Sequence, residues 1–194
     1  MTGRLRTRLG FLGEFVRNPR ELGSVTPSSR FLTRAVVGAI DFGRAKRVIE
    51  LGPGTGVFTR ALLERLTPDG ELLALDTNQE FVELLRREIP DRRLVVVCDS
   101  AERLADIVAE RGWDGADVVV SGIPYSLLPR RVTASILRAA ARTLRPGGLF
   151  VGYQYSPYLR PFLKAVFGNV AYRFVLRNVP PAFVYTSRRR AAAR

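Results

Sequence analysis

The chain contains no histidine and a single cysteine, Cys98. Histidine is the commonest general base and zinc ligand, so Ser-His-Asp catalysis, Cys-His catalysis and zinc sites are excluded, and we expect no metal. A single cysteine also excludes a disulfide within the chain. No apolar run approaches the ~18 residues that a membrane span requires. Glu14 interrupts the first apolar run, which is too short for a secretory signal, so we expect a cytoplasmic protein.

Positive charge is concentrated at the two ends of the chain. The 194 residues are 46% hydrophobic and 25% charged, a balance typical of one globular domain. The formal net charge of +13 divides into +7 for residues 1–47, −2 for residues 48–154 and +8 for residues 155–194. The basic ends therefore predict a polyanionic partner, either nucleic acid or the headgroups of an anionic bilayer, and charge alone leaves both open.

From residue 47 to about residue 155, short apolar runs alternate with amphipathic segments, a pattern typical of βα units around a parallel sheet. Two later runs are separated by an Asn-Val-Pro-Pro turn, which favours an antiparallel pair. The sequence therefore predicts an α/β domain. The predicted strands are residues 48–51, 71–75, 94–97, 118–121, 149–153, 172–176 and 182–186, and the predicted helices are residues 31–40, 58–66, 78–89, 100–111, 129–144 and 161–167.

A glycine-rich loop follows the first predicted strand, in the segment Val-Ile-Glu-Leu-Gly-Pro-Gly-Thr-Gly of residues 48–56. Its glycines allow the backbone to approach a ligand closely at the carboxyl end of a strand. Asp76 ends the second strand, where a carboxylate can accept the hydroxyls of a ribose. The G-x-G-x-G spacing departs from the dinucleotide fingerprint. In a dinucleotide enzyme the negatively charged Glu50 would also lie beside a negatively charged pyrophosphate. A cationic cofactor fits this loop better.

These residues resemble motif I of the class I S-adenosylmethionine-dependent methyltransferases, and the resemblance extends over roughly residues 45–155. It implies a Rossmann-like, doubly wound α/β fold with a seven-stranded sheet whose last hairpin adds an antiparallel edge. It also implies S-adenosylmethionine as cofactor and S-adenosylhomocysteine as product. By this resemblance Glu50 lies near the methionine ammonium, Asp76 at the ribose and Asp99 at the adenine, although Asp99 is an equally good helix cap. The cofactor-binding residues so implied are Glu50, Gly52, Gly54, Thr55, Gly56, Asp76, Thr77, Asp99 and Ser100.

Two families compete for the methyl acceptor. Residues 50–59 together with Ile123, Pro124 and Tyr125 resemble the ribosomal-RNA adenine dimethyltransferases, whose Asn-Leu-Pro-Tyr motif holds the target amine and stacks the base. This chain departs from that family because Gly122 replaces the Asn and residues 156–194 leave no room for the family's helical C-terminal domain. This resemblance is the alternative interpretation, with nucleic acid as the partner.

The second resemblance is to the bacterial phospholipid N-methyltransferases, and it covers almost the whole chain through residues 15–20, 23–29, 121–129, 153–156 and 178–185. Several uncommon segments in the same order are more specific than a glycine loop, so we prefer this interpretation. It implies methyl transfer to the amine of phosphatidylethanolamine and of its mono- and dimethyl derivatives, towards phosphatidylcholine. The expected location is the inner face of the cytoplasmic membrane, as a peripheral protein.

The acceptor amine must be neutral to attack, yet an alkylamine has a pKa near ~10.4. Desolvation in an apolar pocket lowers that pKa, and the hydroxyl of Tyr153, Tyr155 or Tyr185 can orient the amine. Methylated amines can rest on Tyr125 or Tyr155 through cation–π contact. Tyr153 and Tyr185 lie in predicted strands and are equally good core residues. The predicted substrate contacts are Ser28, Ile123, Pro124, Tyr125, Arg173 and Arg177, of which the two arginines are candidates for a lipid phosphate.

Residues 4–17 have an apolar stripe at helical spacing, with arginines beside it. Gly10 and Gly13 weaken this helix in water, so we expect it to gain order at a membrane surface. Packing against the domain, as a cover for the cofactor, stays open. We therefore divide the chain into a membrane-contact and lid segment, residues 1–46, and a methyltransferase domain, residues 47–194. The predicted membrane contacts are Arg4, Leu5, Arg8, Leu9, Phe11, Leu12 and Phe15.

Overall fold

The computed structural model of the protein describes residues 29–190. The predicted membrane helix of residues 4–17, with its seven named contacts, and Ser28 lie outside the described residues. Every helix between residues 29 and 190 is too short or too polar to traverse a bilayer.

A seven-stranded sheet forms the middle layer, with the strand order β3-β2-β1-β4-β5-β7-β6. Strands β1 to β5 are parallel, and β7 runs antiparallel to both β5 and β6. The predicted α/β fold and its antiparallel edge are therefore confirmed. The strands are β1 (Arg47–Leu51), β2 (Glu71–Asp76), β3 (Leu94–Cys98), β4 (Ala116–Ser121), β5 (Leu144–Gln154), β6 (Ala171–Val175) and β7 (Ala182–Arg188).

Helices cover both faces of the sheet. Because successive strand residues point to opposite faces, Val48 packs with the first two helices while Ile49 packs with the last three. The third helix packs with Ala74 and Val96 in a separate, smaller cluster. Caps set the starts of several elements, since the side chains of Ser29 and Asn78 accept a hydrogen bond from the backbone of the first turn. The helices are α1 (Arg30–Val37), α2 (Val57–Leu63), α3 (Gln79–Glu88), α4 (Leu104–Glu110), α5 (Arg130–Thr143) and α6 (Arg160–Phe167).

Two predicted elements have different bounds in the structure. The helix predicted for residues 100–111 begins as a 3₁₀ turn, Ala101–Arg103, before α4. The strand predicted for residues 149–153 begins at Leu144, because Gly147 and Gly148 pair with the Arg189 backbone through hydrogen bonds of 2.9 Å. The register between β4 and β5 shifts between Ala116 and Val118 to accommodate this extension.

Candidate active site

The carboxyl ends of β1, β2 and β3 bring three predicted acidic residues to one edge of the sheet. Glu50 lies in β1, Asp76 ends β2 and Asp99 follows β3. Backbone hydrogen bonds join these ends, from Gly52 N–H to the Leu75 carbonyl (2.8 Å) and from Asp99 N–H to the Asp76 carbonyl (3.1 Å). The structure therefore places these acids and the glycine loop along the edge where open α/β sheets bind ligands.

The loop between β1 and α2 depends on glycine at three positions. Gly52, Gly54 and Gly56 have φ angles of +70°, +54° and +81°, in the left-handed region that residues with a Cβ rarely adopt. A Cβ on Gly54 would meet no atom within 4 Å, so this backbone faces open space. The exposed Thr55 lies between Gly54 and Gly56. The loop thus forms a bare backbone cradle beside the acidic residues.

Glu50 is buried, with 2% of its surface exposed, and points to the face of the sheet that α2 covers. The Thr59 hydroxyl donates to Glu50 Oε2 at 2.7 Å. Burial raises the pKa of Glu50 to about 7, the Thr59 hydrogen bond opposes that rise, and the nearby Asp76 adds to it. A cationic ligand would offset this buried negative charge. Thr59 was not predicted as a contact, because nothing in its local sequence separates it from a core threonine.

Asp76 shapes the glycine loop as well as facing it. Its Oδ2 accepts the Gly54 N–H at 3.2 Å, and its Oδ1 accepts the Asn78 N–H at 2.9 Å. Partial burial raises the pKa of Asp76, while hydrogen bonds from the Asn78, Gly54 and Thr77 backbones oppose the rise. The exposed Thr77 contributes its backbone here. The carboxylate therefore holds the loop in position at the edge where a ribose is predicted.

Asp99 and Ser100 serve as local caps in the structure. Asp99 Oδ1 accepts the Ser100 N–H at 2.6 Å, and its Oδ2 pairs with the Arg103 guanidinium at 2.7 Å. The Ser100 hydroxyl accepts the Glu102 N–H at 3.2 Å, which begins the turn before α4. These contacts support the capping interpretation, and adenine contact stays a prediction.

The loop after β4 contains a prediction that the structure corrects. Tyr125 is fully buried, and its hydroxyl lies 2.9 Å from the Ser121 hydroxyl. Burial raises the pKa of Tyr125 far above its ordinary range. Its ring has no face open to an amine, so it packs in the core instead of contacting substrate. Pro124 remains exposed, and Ile123 is half-buried, with its side chain directed towards Gly52.

Gln154 holds that loop in place and was not predicted. It is buried at the end of β5, and its Nε2 donates to the Ile123 carbonyl at 2.8 Å and to the Tyr153 carbonyl at 2.6 Å. Its position between Tyr153 and Tyr155 is the one sequence signal that pointed to it. Gln154 thus fixes the backbone that faces the cofactor loop.

The three predicted catalytic tyrosines do not converge. Tyr153 points to the α2 side of the sheet, with its ring 4.7 Å from that of Phe58. Tyr185 points to the opposite side, is buried, and donates to the Ser156 carbonyl at 3.4 Å. The assignment of Tyr185 to amine orientation is therefore wrong for this arrangement. Tyr155 is half exposed beyond β5; burial raises the pKa of its phenol, and a hydrogen bond with Asn178 lowers it.

The Tyr153 hydroxyl lies beside the loop after β4. It would lie 2.8 Å from a Cβ placed on Gly122, and the Gly52 carbonyl would lie 2.9 Å from the same point. Tyr153 is therefore the predicted tyrosine whose hydroxyl lies where the loops after β1 and β4 meet.

The two predicted phosphate ligands lie on the outer hairpin. Arg173 is exposed on the edge strand β6, and Arg177 follows that strand with its guanidinium 5.3 Å from the Phe31 ring centroid. Asn178, also not predicted, is buried beside Arg177 and accepts the Ser29 N–H at 3.0 Å. The hairpin is thereby joined to the start of α1.

The chain belongs to the class I S-adenosylmethionine-dependent methyltransferases, since residues 48–148 match the family described as a methyltransferase domain. It is 34% identical over 180 residues to the ornithine lipid N-methyltransferase of Singulisphaera acidiphila, which covers 92% of this chain and 94% of that protein. A shorter match to ribosomal RNA small subunit methyltransferase A of Thiobacillus denitrificans is 32% identical over 112 residues, 53% of this chain and 41% of the relative.

The fold also matches solved structures of this class. The 1,6-didemethyltoxoflavin-N1-methyltransferase of Burkholderia thailandensis, solved with S-adenosylhomocysteine, aligns with a TM-score of 0.69 and 18% identity over 95% of this chain and 88% of that one. The residues present fit S-adenosylmethionine, because a glycine cradle with open space adjoins a buried carboxylate that a cation would stabilise. The predicted cofactor, with S-adenosylhomocysteine as product, is confirmed.

Proposed function

We propose that this protein is a lipid N-methyltransferase. It transfers methyl groups from S-adenosylmethionine to the amine of phosphatidylethanolamine and of its mono- and dimethyl derivatives, towards phosphatidylcholine. It works as a peripheral protein at the inner face of the cytoplasmic membrane. The match to an ornithine lipid N-methyltransferase over 92% of the chain supports a lipid acceptor, whereas the match to a ribosomal RNA enzyme covers 53% of it.

The observation that carries the proposal is the contact between Gly122 and Tyr153. In the RNA adenine dimethyltransferases that this segment resembles, the position of Gly122 is an Asn that holds the target amine. Here a Cβ at residue 122 would lie 2.8 Å from the Tyr153 hydroxyl and 2.9 Å from the Gly52 carbonyl, closer than real Cβ atoms approach. An Asn side chain at residue 122 would therefore collide with the Tyr153 hydroxyl, which favours an acceptor other than adenine.

For this reaction the protein mainly has to align the methyl donor with the acceptor amine and to exclude water. S-adenosylmethionine supplies an electrophilic methyl group on a sulfonium, and the acceptor nitrogen attacks in line with the breaking bond. The chain must present a neutral amine at that edge. Tyr153, packed on Phe58, and the half-buried Ile123 provide an apolar wall that lowers the pKa of an entering amine. The Tyr153 hydroxyl then directs the nitrogen lone pair towards the cofactor loop.

A second acceptor is the amine of an ornithine lipid. The specific observation in its favour is the 34% identity to a protein of that activity. Both acceptors present an alkylamine at a membrane surface, so the site described above accommodates either. Headgroup choice then depends on the anionic group beside the amine, for which Arg173 and Arg177 are the candidate contacts.

The test measures methyl transfer from labelled S-adenosylmethionine to vesicles that contain phosphatidylethanolamine, its monomethyl derivative or ornithine lipid, with products identified by mass spectrometry. We expect stepwise methylation of phosphatidylethanolamine. Asp76→Ala, which removes the carboxylate that holds the cofactor loop, is the inactive control. Methylation of ornithine lipid alone would select the second acceptor, and label in neither lipid would contradict the proposal.

A further inference from the structure

The tip of the β6–β7 hairpin, residues 176–181, exposes two aliphatic side chains. Leu176 is 72% exposed and Val179 is 71% exposed. Because β5 and β6 are both antiparallel to β7, they run in the same direction. The hairpin tip therefore lies at the carboxyl edge of the sheet, the same edge as the glycine loop and Tyr153. Aliphatic side chains this exposed beside a functional site are typical of a contact surface.

The apolar surface continues from the tip along the edge strand. Tyr172 and Phe174 are exposed on β6, on the face that they share with their register partners Tyr185 and Phe183. Tyr155, half exposed, follows β5 at the same edge. Aromatic rings beside aliphatic side chains suit an interface with an apolar side and a wet side, such as the headgroup region of a bilayer.

The charge around this surface has one sign. Residues 118–194 contain 13 Lys and Arg residues and no Asp or Glu. Arg173 lies on β6 beside the hairpin tip and Arg177 lies within the tip, and neither forms an ion pair with any residue between 29 and 190. A surface without acidic groups complements an anionic lipid surface. It complements a second copy of this chain poorly, because the same basic surface would meet itself.

Asn178 holds the hairpin tip in place. This buried residue accepts the Ser29 N–H at 3.0 Å and donates to the Pro180 carbonyl at 2.7 Å. The Ser29 hydroxyl donates to the Arg177 carbonyl at 3.1 Å. Residue 29 is therefore bonded to the tip, and residues 1–28 join the domain at this place.

We propose that the hairpin tip is a membrane-inserting element. Leu176 and Val179 enter the boundary between headgroups and acyl chains of an anionic bilayer, while Arg173 and Arg177 contact lipid phosphates. This docking turns the carboxyl edge, with Tyr153 and the cofactor loop, towards lipid amines in the membrane plane. The inference rests on the proposed lipid acceptor and adds how that acceptor is reached.

The first test places an environment-sensitive dye on the tip. In a Cys98→Ser background, Val179→Cys is labelled and mixed with vesicles of phosphatidylglycerol and phosphatidylethanolamine. Arg92→Cys, before β3 at the opposite edge of the sheet, is the matched control. The dye at residue 179 should shift to shorter wavelength with vesicles, and the dye at residue 92 should not. Lipid methylation is measured in the same samples.

The second test removes the contacts. Leu176→Ser with Val179→Ser should weaken vesicle binding by about tenfold or more, because two aliphatic side chains no longer enter the bilayer. The affinity of this double variant for S-adenosylhomocysteine should be unchanged. Arg173→Gln with Arg177→Gln should weaken binding to anionic vesicles more than Arg44→Gln with Arg92→Gln, which removes the same charge at the opposite edge.

The outcomes separate this inference from the proposed function. Lipid methylation with a dye at residue 179 that stays in water would overturn the hairpin proposal and keep the lipid acceptor. A dye shift without lipid methylation would support the hairpin and reject the acceptor. A dye that is shielded before vesicles are added would overturn the proposal in favour of residues 1–28 or, where shielding depends on protein concentration, a second copy.

Discussion

Residues 29–117 and residues 118–190 arrange their charges in opposite ways. Every Asp and Glu of the chain lies at or before Asp117. In the first region arginines pair with acids, as Arg93 does with Asp91 at 2.6 Å. The second region has no acid of its own, and its Arg173 and Arg177 form no ion pair with any residue between 29 and 190. The first region thus balances its own charges around a site for a cation, whereas the second leaves its cations available to an external anion.

A side chain added to the glycine loop of the first region should have the strongest effect on cofactor binding. Gly54→Val should weaken binding of S-adenosylhomocysteine on the order of 100-fold, because the side chain enters the open space beside Asp76. Gly147→Val is the matched control, since Gly147 also has a positive φ, +81°, and open space, but lies at the other edge of the sheet. Both should lose similar stability in thermal unfolding. Equal affinity for S-adenosylhomocysteine in the two variants would show that the cradle does not hold the cofactor.

The next effect separates donor binding from transfer. Tyr153→Phe should lower lipid methylation about tenfold, the value of one hydrogen bond in the transition state, with little change in donor affinity. Tyr185→Phe should change turnover less than about twofold, because its hydroxyl bonds to the Ser156 carbonyl on the opposite face. Calorimetry and initial rates measure the two quantities. A larger loss of turnover in Tyr185→Phe would reverse the assignment.

Glu50 provides a pH-dependent test of the first region. Its pKa is raised from 4.5 to about 7, so the folded chain keeps a proton that the unfolded chain releases as pH rises between these values. Stability of the donor-free protein should therefore fall through that window, and above pH 7 Glu50→Gln should be the more stable by up to about 3 kcal/mol.

Glu50 should also make cofactor binding depend on pH. Ionised Glu50 attracts the methionine ammonium, so affinity for S-adenosylhomocysteine should rise severalfold, roughly in proportion to ionisation, from pH 6 to pH 7.5. Glu50→Gln should bind more weakly and lose that dependence. An unchanged pH profile in Glu50→Gln would remove Glu50 from the cofactor site.

The smallest effect concerns the contact between the two regions. Arg145 pairs with Asp114 at 2.6 Å and Asp117 at 2.9 Å. Arg145→Gln should lower the free energy of unfolding by about 0.5–1 kcal/mol, because these partly exposed pairs are screened by solvent. Arg138→Gln, which removes an arginine without such pairs, should change it less. Chemical denaturation compares the two, and equal values would show that the pairs contribute nothing measurable.

Local patterns account for what the sequence predicted correctly. The glycine loop and Asp76 lie within one βα unit, so their spacing alone indicated the cofactor edge. The direction in which a side chain points depends on strand register and loop conformation, which the sequence does not show. Tyr125 and Tyr185 were therefore assigned to substrate although both are buried. Gln154 and Asn178 were not predicted, because the partners Ile123 and Ser29 lie 31 and 149 residues away in the sequence.

A competition between the two acceptors in one reaction decides whether this protein methylates lipid or RNA. Vesicles of phosphatidylethanolamine and phosphatidylglycerol are mixed with undermethylated ribosomal RNA, and labelled S-adenosylmethionine is supplied in amounts below either acceptor. We expect the label in the extracted lipid as methylated headgroups, and we expect Tyr153→Phe to reduce it. Label recovered in the RNA as methylated adenine, with none in the lipid, would contradict this expectation.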